Sequence, residues 1–138
     1  MLTYSLYDFE VILVNDGSPG DNTIQIIKEI ISDFDYIMGV DLAKNFGQHS
    51  AYMAGYHYAS GDYIICLDDD GQNPPSETFK LVDKLESGYD VVYGSYAHKK
   101  QSFFRNIGSS ANEMMARLFV GKPKDLYISS FFGMKKLF

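Results

Sequence analysis

Residues 61–75 read Gly-Asp-Tyr-Ile-Ile-Cys-Leu-Asp-Asp-Asp-Gly-Gln-Asn-Pro-Pro. The apolar run from Tyr63 to Leu67 has the length and β-rich character of a strand buried on both faces. Asp68, Asp69 and Asp70 follow at its carboxyl end, and Pro74 and Pro75 stop the strand from continuing. Three adjacent carboxylates repel one another unless a cation or hydrogen-bond donors neutralise them. In an open α/β sheet the carboxyl edge is where ligands bind. Hard oxygen ligands beside the Gln72 amide suit Mg²⁺ or Mn²⁺ carrying a phosphorylated ligand. The plainer alternative is a solvated acidic turn that caps the next helix.

On either side of this stretch the same strand-then-turn signature recurs. Phe9 to Val14 predicts a strand that ends in Asn15-Asp16-Gly17-Ser18-Pro19-Gly20, a dense turn cluster. Asp21 or Asn22 can cap a helix running to about Asp33, with Ile24, Ile27, Ile30 and Ile31 on one face. Tyr36 to Leu42 reads as a second strand. A helix is expected over Asn45 to Ser60, where Ala51, Gly55 and Ala59 form a small-residue stripe suited to lying close on a sheet. Beyond Tyr63–Leu67, Ser76 to Ser87 predicts a helix with Phe79, Val82 and Leu85 inward. Asp90 to Tyr93 reads as a fourth strand, Ser102 to Val120 as a long helix, and Tyr127 to Phe138 as one short apolar segment. Strands alternating with helices imply a mainly parallel sheet covered on both faces, in a single domain over residues 1–138.

The chain has 138 residues, 46% of them hydrophobic, which suits one packed domain rather than disorder. Its net charge of -6 argues against a general nucleic-acid binder. Cys66 is the only cysteine, so no internal disulfide forms, and its place in the apolar strand predicts a buried thiol. No stretch approaches the roughly 20 apolar residues needed to span a bilayer. The lone thiol fits a reducing compartment, and a location in the cytoplasm is expected, or on the cytoplasmic face of a membrane if the parent protein carries spanning helices.

Several motifs occur in order: Val14-Asn15-Asp16-Gly17-Ser18, Asn45-Phe46-Gly47-Gln48-His49-Ser50-Ala51, Ala54-Gly55, Gly61-Asp62, Asp68-Asp69-Asp70-Gly71-Gln72-Asn73-Pro74-Pro75, and Tyr89-Asp90-Val91-Val92-Tyr93-Gly94. With this set the chain resembles the family-2 glycosyltransferases of the GT-A nucleotide-sugar-binding fold. Within them it is similar to those acting on polyisoprenyl phosphates (dolichol phosphate or undecaprenyl phosphate). The resemblance implies an inverting sugar transfer from a nucleoside diphosphate sugar, UDP favoured over GDP, to a lipid phosphate, with Mg²⁺ or Mn²⁺ as cofactor. It assigns Asn15, Asp16, Ser18, Asn45, Gly47, Gln48, Asp68 and Asp69 to the nucleotide sugar, and Asp68, Asp70 and Gln72 to the metal.

Asn15 replaces the first acid of the family's usual Asp-Asp pair. Ser130 stands where some relatives carry an acid, which favours an acceptor that is already anionic and needs no base. Asp70, Ser130 and Asp125 are the candidate catalytic residues. Phe132 occupies a position where the family commonly has Arg, leaving Arg105, with Lys99 and Lys100, to grip acceptor or diphosphate. Two other readings remain: a saccharide hydroxyl as acceptor, or an inactive binding and assembly module. In the family fold a strand precedes the first turn motif and further chain follows. The absence of that strand would leave pairing edges open, so oligomerisation or poor solubility of the chain is expected.

Overall fold

A computed structural model describes residues 7–95 and 129–136. The described residues fall into two compact units, bounded in sequence as Met1–Ile64 with Lys135–Phe138, and Ile65–Met134. The predicted helix over Ser102 to Val120, together with Lys99, Lys100, Arg105 and Asp125, lies outside the described residues.

In the first unit, strand β1 (Val11–Asn15) and strand β2 (Ile37–Asp41) run parallel, with Val11 opposite Ile37 and Asn15 opposite Asp41. Helix α1 (Thr23–Asp33) connects them, and helix α2 (Gln48–Tyr58) follows. Leu13 and Gly39 are register partners, so they share one sheet face, while Val14 and Val40 share the other. A Cβ on Gly39 would come within 2.7 Å of Ile27 Cγ2 and 2.6 Å of Ile31 Cδ1, which places α1 on the first face. Gly55 of α2 meets Val14 Cγ2, at 3.4 Å from where its Cβ would stand, on the opposite face. Helices therefore cover both faces of this pair, and the small-residue stripe of α2 brings it close. Ile27 is the buried anchor of α1, and Ile24, Ile30 and Ile31 are half-buried beside it. Asp21 Oδ1 accepts the Thr23 amide at 3.0 Å, so Asp21 closes the start of α1 while the Asn22 side chain makes no cap bond.

The chain then enters strand β3 (Tyr63–Cys66), which lies in a three-stranded sheet of order β3-β5-β4 with β4 (Val91–Tyr93) and β5 (Phe132–Lys135). Strands β4 and β5 are antiparallel, Val92 opposite Gly133 and Tyr93 opposite Phe132. A mainly parallel sheet thus holds for the first unit and not for this ladder. A short 3₁₀ turn (Pro75–Glu77) leads into helix α3 (Thr78–Glu86). Its buried positions are Leu81 and Leu85, with Phe79 and Val82 only half-buried. Leu81 and Leu85 lie four residues apart on one helical face, and with buried Phe131 they form the core of the second unit. Cys66 is half-buried rather than fully enclosed.

Glu10 ties the first unit together from outside the sheet. Its Oε1 accepts the Ser60 amide at 2.6 Å, the Ser60 hydroxyl at 2.8 Å and the Gly61 amide at 3.1 Å. These bonds, led by the Ser60 amide, hold its carboxyl below the usual glutamate range. No described helix is long and apolar enough to cross a membrane.

Candidate functional site

The first cluster is built where β1 ends. Asn15 is buried, and its Nδ2 donates to Asp41 Oδ1 at 2.8 Å across the parallel pair. Its Oδ1 accepts the Ser18 amide at 3.3 Å and so shapes the turn. Asp16 then spends both carboxylate oxygens on the neighbouring loop: Oδ1 accepts the Phe46 amide and Oδ2 the Gly47 amide, each at 2.8 Å. Gly47 also donates to Asn45 Oδ1 at 3.2 Å. Between the two segments Gly17 has φ 61, and a Cβ there would come within 2.3 Å of the Lys44 carbonyl carbon. Only glycine tolerates both the left-handed backbone and that approach.

Gly47 takes φ 90 and ψ 158, outside the helical region, so α2 starts at Gln48 and not at Asn45, while Asp16 fastens the Phe46 and Gly47 amides just ahead of it. Asn15, Asp16, Ser18, Asn45, Gly47 and Gln48 are thus brought together in one unit. Sequence reasoning missed Asp41; the one signal that pointed to it was its position at the end of the second predicted strand.

The second cluster follows β3. Asp68 is half-buried, while Asp69, Asp70 and Gln72 are exposed. Asp70 Oδ1 accepts the Gln72 amide at 3.0 Å, and Gly71 takes φ 72, so the loop turns back on itself. The donors that this loop offers are hard oxygens on a short, tightly turned segment, a set that fits Mg²⁺ or Mn²⁺. Among the described residues no group of three His, Cys, Asp or Glu side chains converges as a ready-made metal cluster. Asp68, Asp70 and Gln72 would hold the ion as two carboxylates and an amide, with water and ligand oxygens completing the shell.

Asn73 closes the loop. It is 5% exposed, and its Oδ1 has no hydrogen-bond partner among the described residues. An acceptor left empty in that way costs about 1–3 kcal/mol. A cavity of about 540 Å³ opens in the same unit, lined among others by Gln72, Pro74, Lys80, Lys84, Tyr93 and Phe131. Lys80 is paired with Glu77 at 2.6 Å. Ser129 Oγ shares its proton between the carbonyls of Gly94 (2.8 Å) and Phe131 (2.7 Å), pinning the entry to β5. Ser130 stands beside it, half-buried, and the Phe132 ring packs on Tyr93 at 5.6 Å.

The family model described as glycosyl transferase family 2 matches residues 2–136. This chain belongs to that family. As a family-2 glycosyltransferase domain it has the α/β arrangement of the GT-A type, with the parallel β1–β2 pair at its start. Members of the family generally work with a divalent metal ion. Over 120 residues the chain is 46% identical to an undecaprenyl-phosphate 4-deoxy-4-formamido-L-arabinose transferase of Yersinia pestis bv. Antiqua (strain Angola), covering 86% of this chain. Proteins of the same name from Yersinia enterocolitica serotype O:8 / biotype 1B and Yersinia pseudotuberculosis serotype O:3 are each 45% identical over the same length and share of the chain. The chain spans 36% of the length of these curated relatives.

Proposed function

We propose that the protein carrying this domain moves a sugar, with inversion, from a nucleoside diphosphate sugar to a polyisoprenyl phosphate. The observation that carries this reading is the 46% identity, across most of the chain, to a transferase named for undecaprenyl phosphate. In this reading Asn15, Asp16 and Ser18, with Asn45, Gly47 and Gln48, form the nucleoside side of the donor site. Asp68 and Asp69 are also assigned to the donor, and Asp68, Asp70 and Gln72 would hold Mg²⁺ or Mn²⁺. A bound divalent ion supplies charge neutralisation at the departing diphosphate, where negative charge grows as the glycosidic bond breaks.

The chain's own residues then have three tasks. The Asp16 clamp fixes the Asn45–Gly47 loop, so the nucleoside would meet a rigid wall. The tight Asp70–Gln72 turn points carboxylate and amide oxygens outward from one short loop. Ser130, in place of an acid, leaves no base beside an acceptor phosphate that is nucleophilic without one. Arg105, Lys99 and Lys100 are proposed to grip the acceptor or diphosphate, with Asp125 as the one carboxylate that a hydroxyl acceptor would need. UDP is preferred over GDP, and the reaction takes place on the cytoplasmic face of the membrane.

The test offers the protein a set of nucleoside diphosphate sugars with Mn²⁺ and either a short-chain polyprenyl phosphate or an oligosaccharide. Mass spectrometry should find a glycosyl polyprenyl phosphate. Extension of the oligosaccharide alone would replace this reading with the hydroxyl-acceptor one.

A further inference from the structure

Asn73 is a buried polar residue whose carboxamide oxygen stands unpaired among the described residues. Turn asparagines ordinarily stand in solvent and bond their own backbone; Asn73 is buried to all but 5%, and its Oδ1 accepts no hydrogen bond from the described residues. Leucine shares its branched outline, is larger, and would carry no empty acceptor. Native buried polar atoms without partners are rare, and one of the recurring reasons for them is a partner that arrives with a ligand. The neighbours in sequence say which ligand. Gln72, the residue before, is exposed and belongs to the oxygen-rich loop, and Asp70 Oδ1 holds the Gln72 amide at 3.0 Å. On the other side Pro74 and Pro75 fix the backbone, Pro74 at φ -63 and ψ 127. The loop is thus rigid beyond Asn73 and tightly turned before it, so a change at the Asn73 carboxamide is passed directly to Gln72.

We infer that Asn73 is a positioning residue of the acidic loop: its carboxamide oxygen goes without a partner in the unloaded domain and gains a hydrogen bond when Asp68, Asp70 and Gln72 take up a cation with a nucleoside diphosphate. This inference rests on the metal-dependent donor binding proposed above. A bond made only in the loaded state raises affinity by linkage and leaves the unloaded fold less stable than an apolar side chain would. Asn73 trades stability for ligand affinity.

The experiment compares the 138-residue wild-type chain with Asn73→Leu and Asn73→Asp. Thermal unfolding is followed without metal, and UDP and GDP affinity is measured by calorimetry with Mn²⁺. Asn73→Leu should bind the nucleotide about tenfold more weakly, the equivalent of one lost hydrogen bond. Asn73→Asp keeps the acceptor oxygen, so it should stay within about threefold of wild-type affinity while unfolding at a lower temperature. A tenfold loss of affinity in Asn73→Asp, which keeps the acceptor oxygen, would show that the loaded state does not use that oxygen and would overturn the inference. So would wild-type affinity in Asn73→Leu. A wild-type chain that binds neither nucleotide with Mn²⁺ would instead remove the donor-site reading itself, and this inference with it.

Discussion

Asn15 stands where family-2 relatives commonly carry an acid, and the structure gives the exchange a physical reason. Its Nδ2 donates to Asp41 Oδ1 at 2.8 Å, and a carboxylate at position 15 would face the Asp41 carboxylate over that distance. Losing the donor and gaining a like charge should cost about 2 kcal/mol. Asn15→Asp is therefore expected to unfold roughly 5–10 °C below wild type. Adding Asp41→Asn reverses the pair and restores the hydrogen bond, so the double variant should return close to the wild-type midpoint. Thermal unfolding of the two variants checks this. An Asn15→Asp chain as stable as wild type would mean that the pair does not hold the two strand ends together. The acid-rich turns are legible in sequence residue by residue, because an apolar strand that gives way at once to Asp, Asn and Gly sets polar groups at the sheet's carboxyl edge. Their partners are not legible: nothing in the spacing of Asn15 and Asp41 announces that parallel register sets them opposite each other.

Among the described elements from β1 to β4, helical and strand periodicity gives the order of strands and α-helices, and the fold moves their edges. Asn45–Gly47 has no local feature that forbids a helix except Gly47. It stays outside α2 because Gly47 takes φ 90, while Asp16, about 30 residues earlier, fastens the Phe46 and Gly47 amides. Spacing alone puts Val82 on the inward face of α3; in the fold Leu81 and Leu85 are buried there and Val82 is half-exposed. The antiparallel β4–β5 ladder is hidden from sequence because Phe132–Lys135 is too short to signal its direction.

Glu10 is equally hard to foresee, being one acid before an apolar run, yet it fastens the start of β1 to the Ser60–Gly61 turn before β3. Because its folded pKa is lowered, its contribution to stability is fully present above the ordinary glutamate value of 4.5 and is lost as pH falls through the lower folded value. Glu10→Gln cannot titrate there. The stability gap between wild type and Glu10→Gln, measured by denaturant unfolding at several pH values, should be full at pH 7 and shrink as the pH falls below 4.5. A gap that stays constant down to pH 3 would show that the charge on Glu10 does not strengthen these bonds.

For the molecule as a whole, each unit carries residues proposed for the donor: a rigid turn-and-loop clamp around Asp16 in one, and an oxygen-rich loop at Asp68–Gln72 in the other. In the proposed reading a divalent ion held by Asp68, Asp70 and Gln72 would offset the charge of the donor diphosphate, and that is the requirement on which the reading depends. Calorimetric titration of the 138-residue chain with UDP and with GDP, each with and without Mn²⁺, puts that requirement to the sharpest test. Binding heat should be present only with Mn²⁺, be stronger for UDP, and vanish in Asp70→Asn. Equal heat without the metal, or none for either nucleotide with it, would rule out the bridging ion.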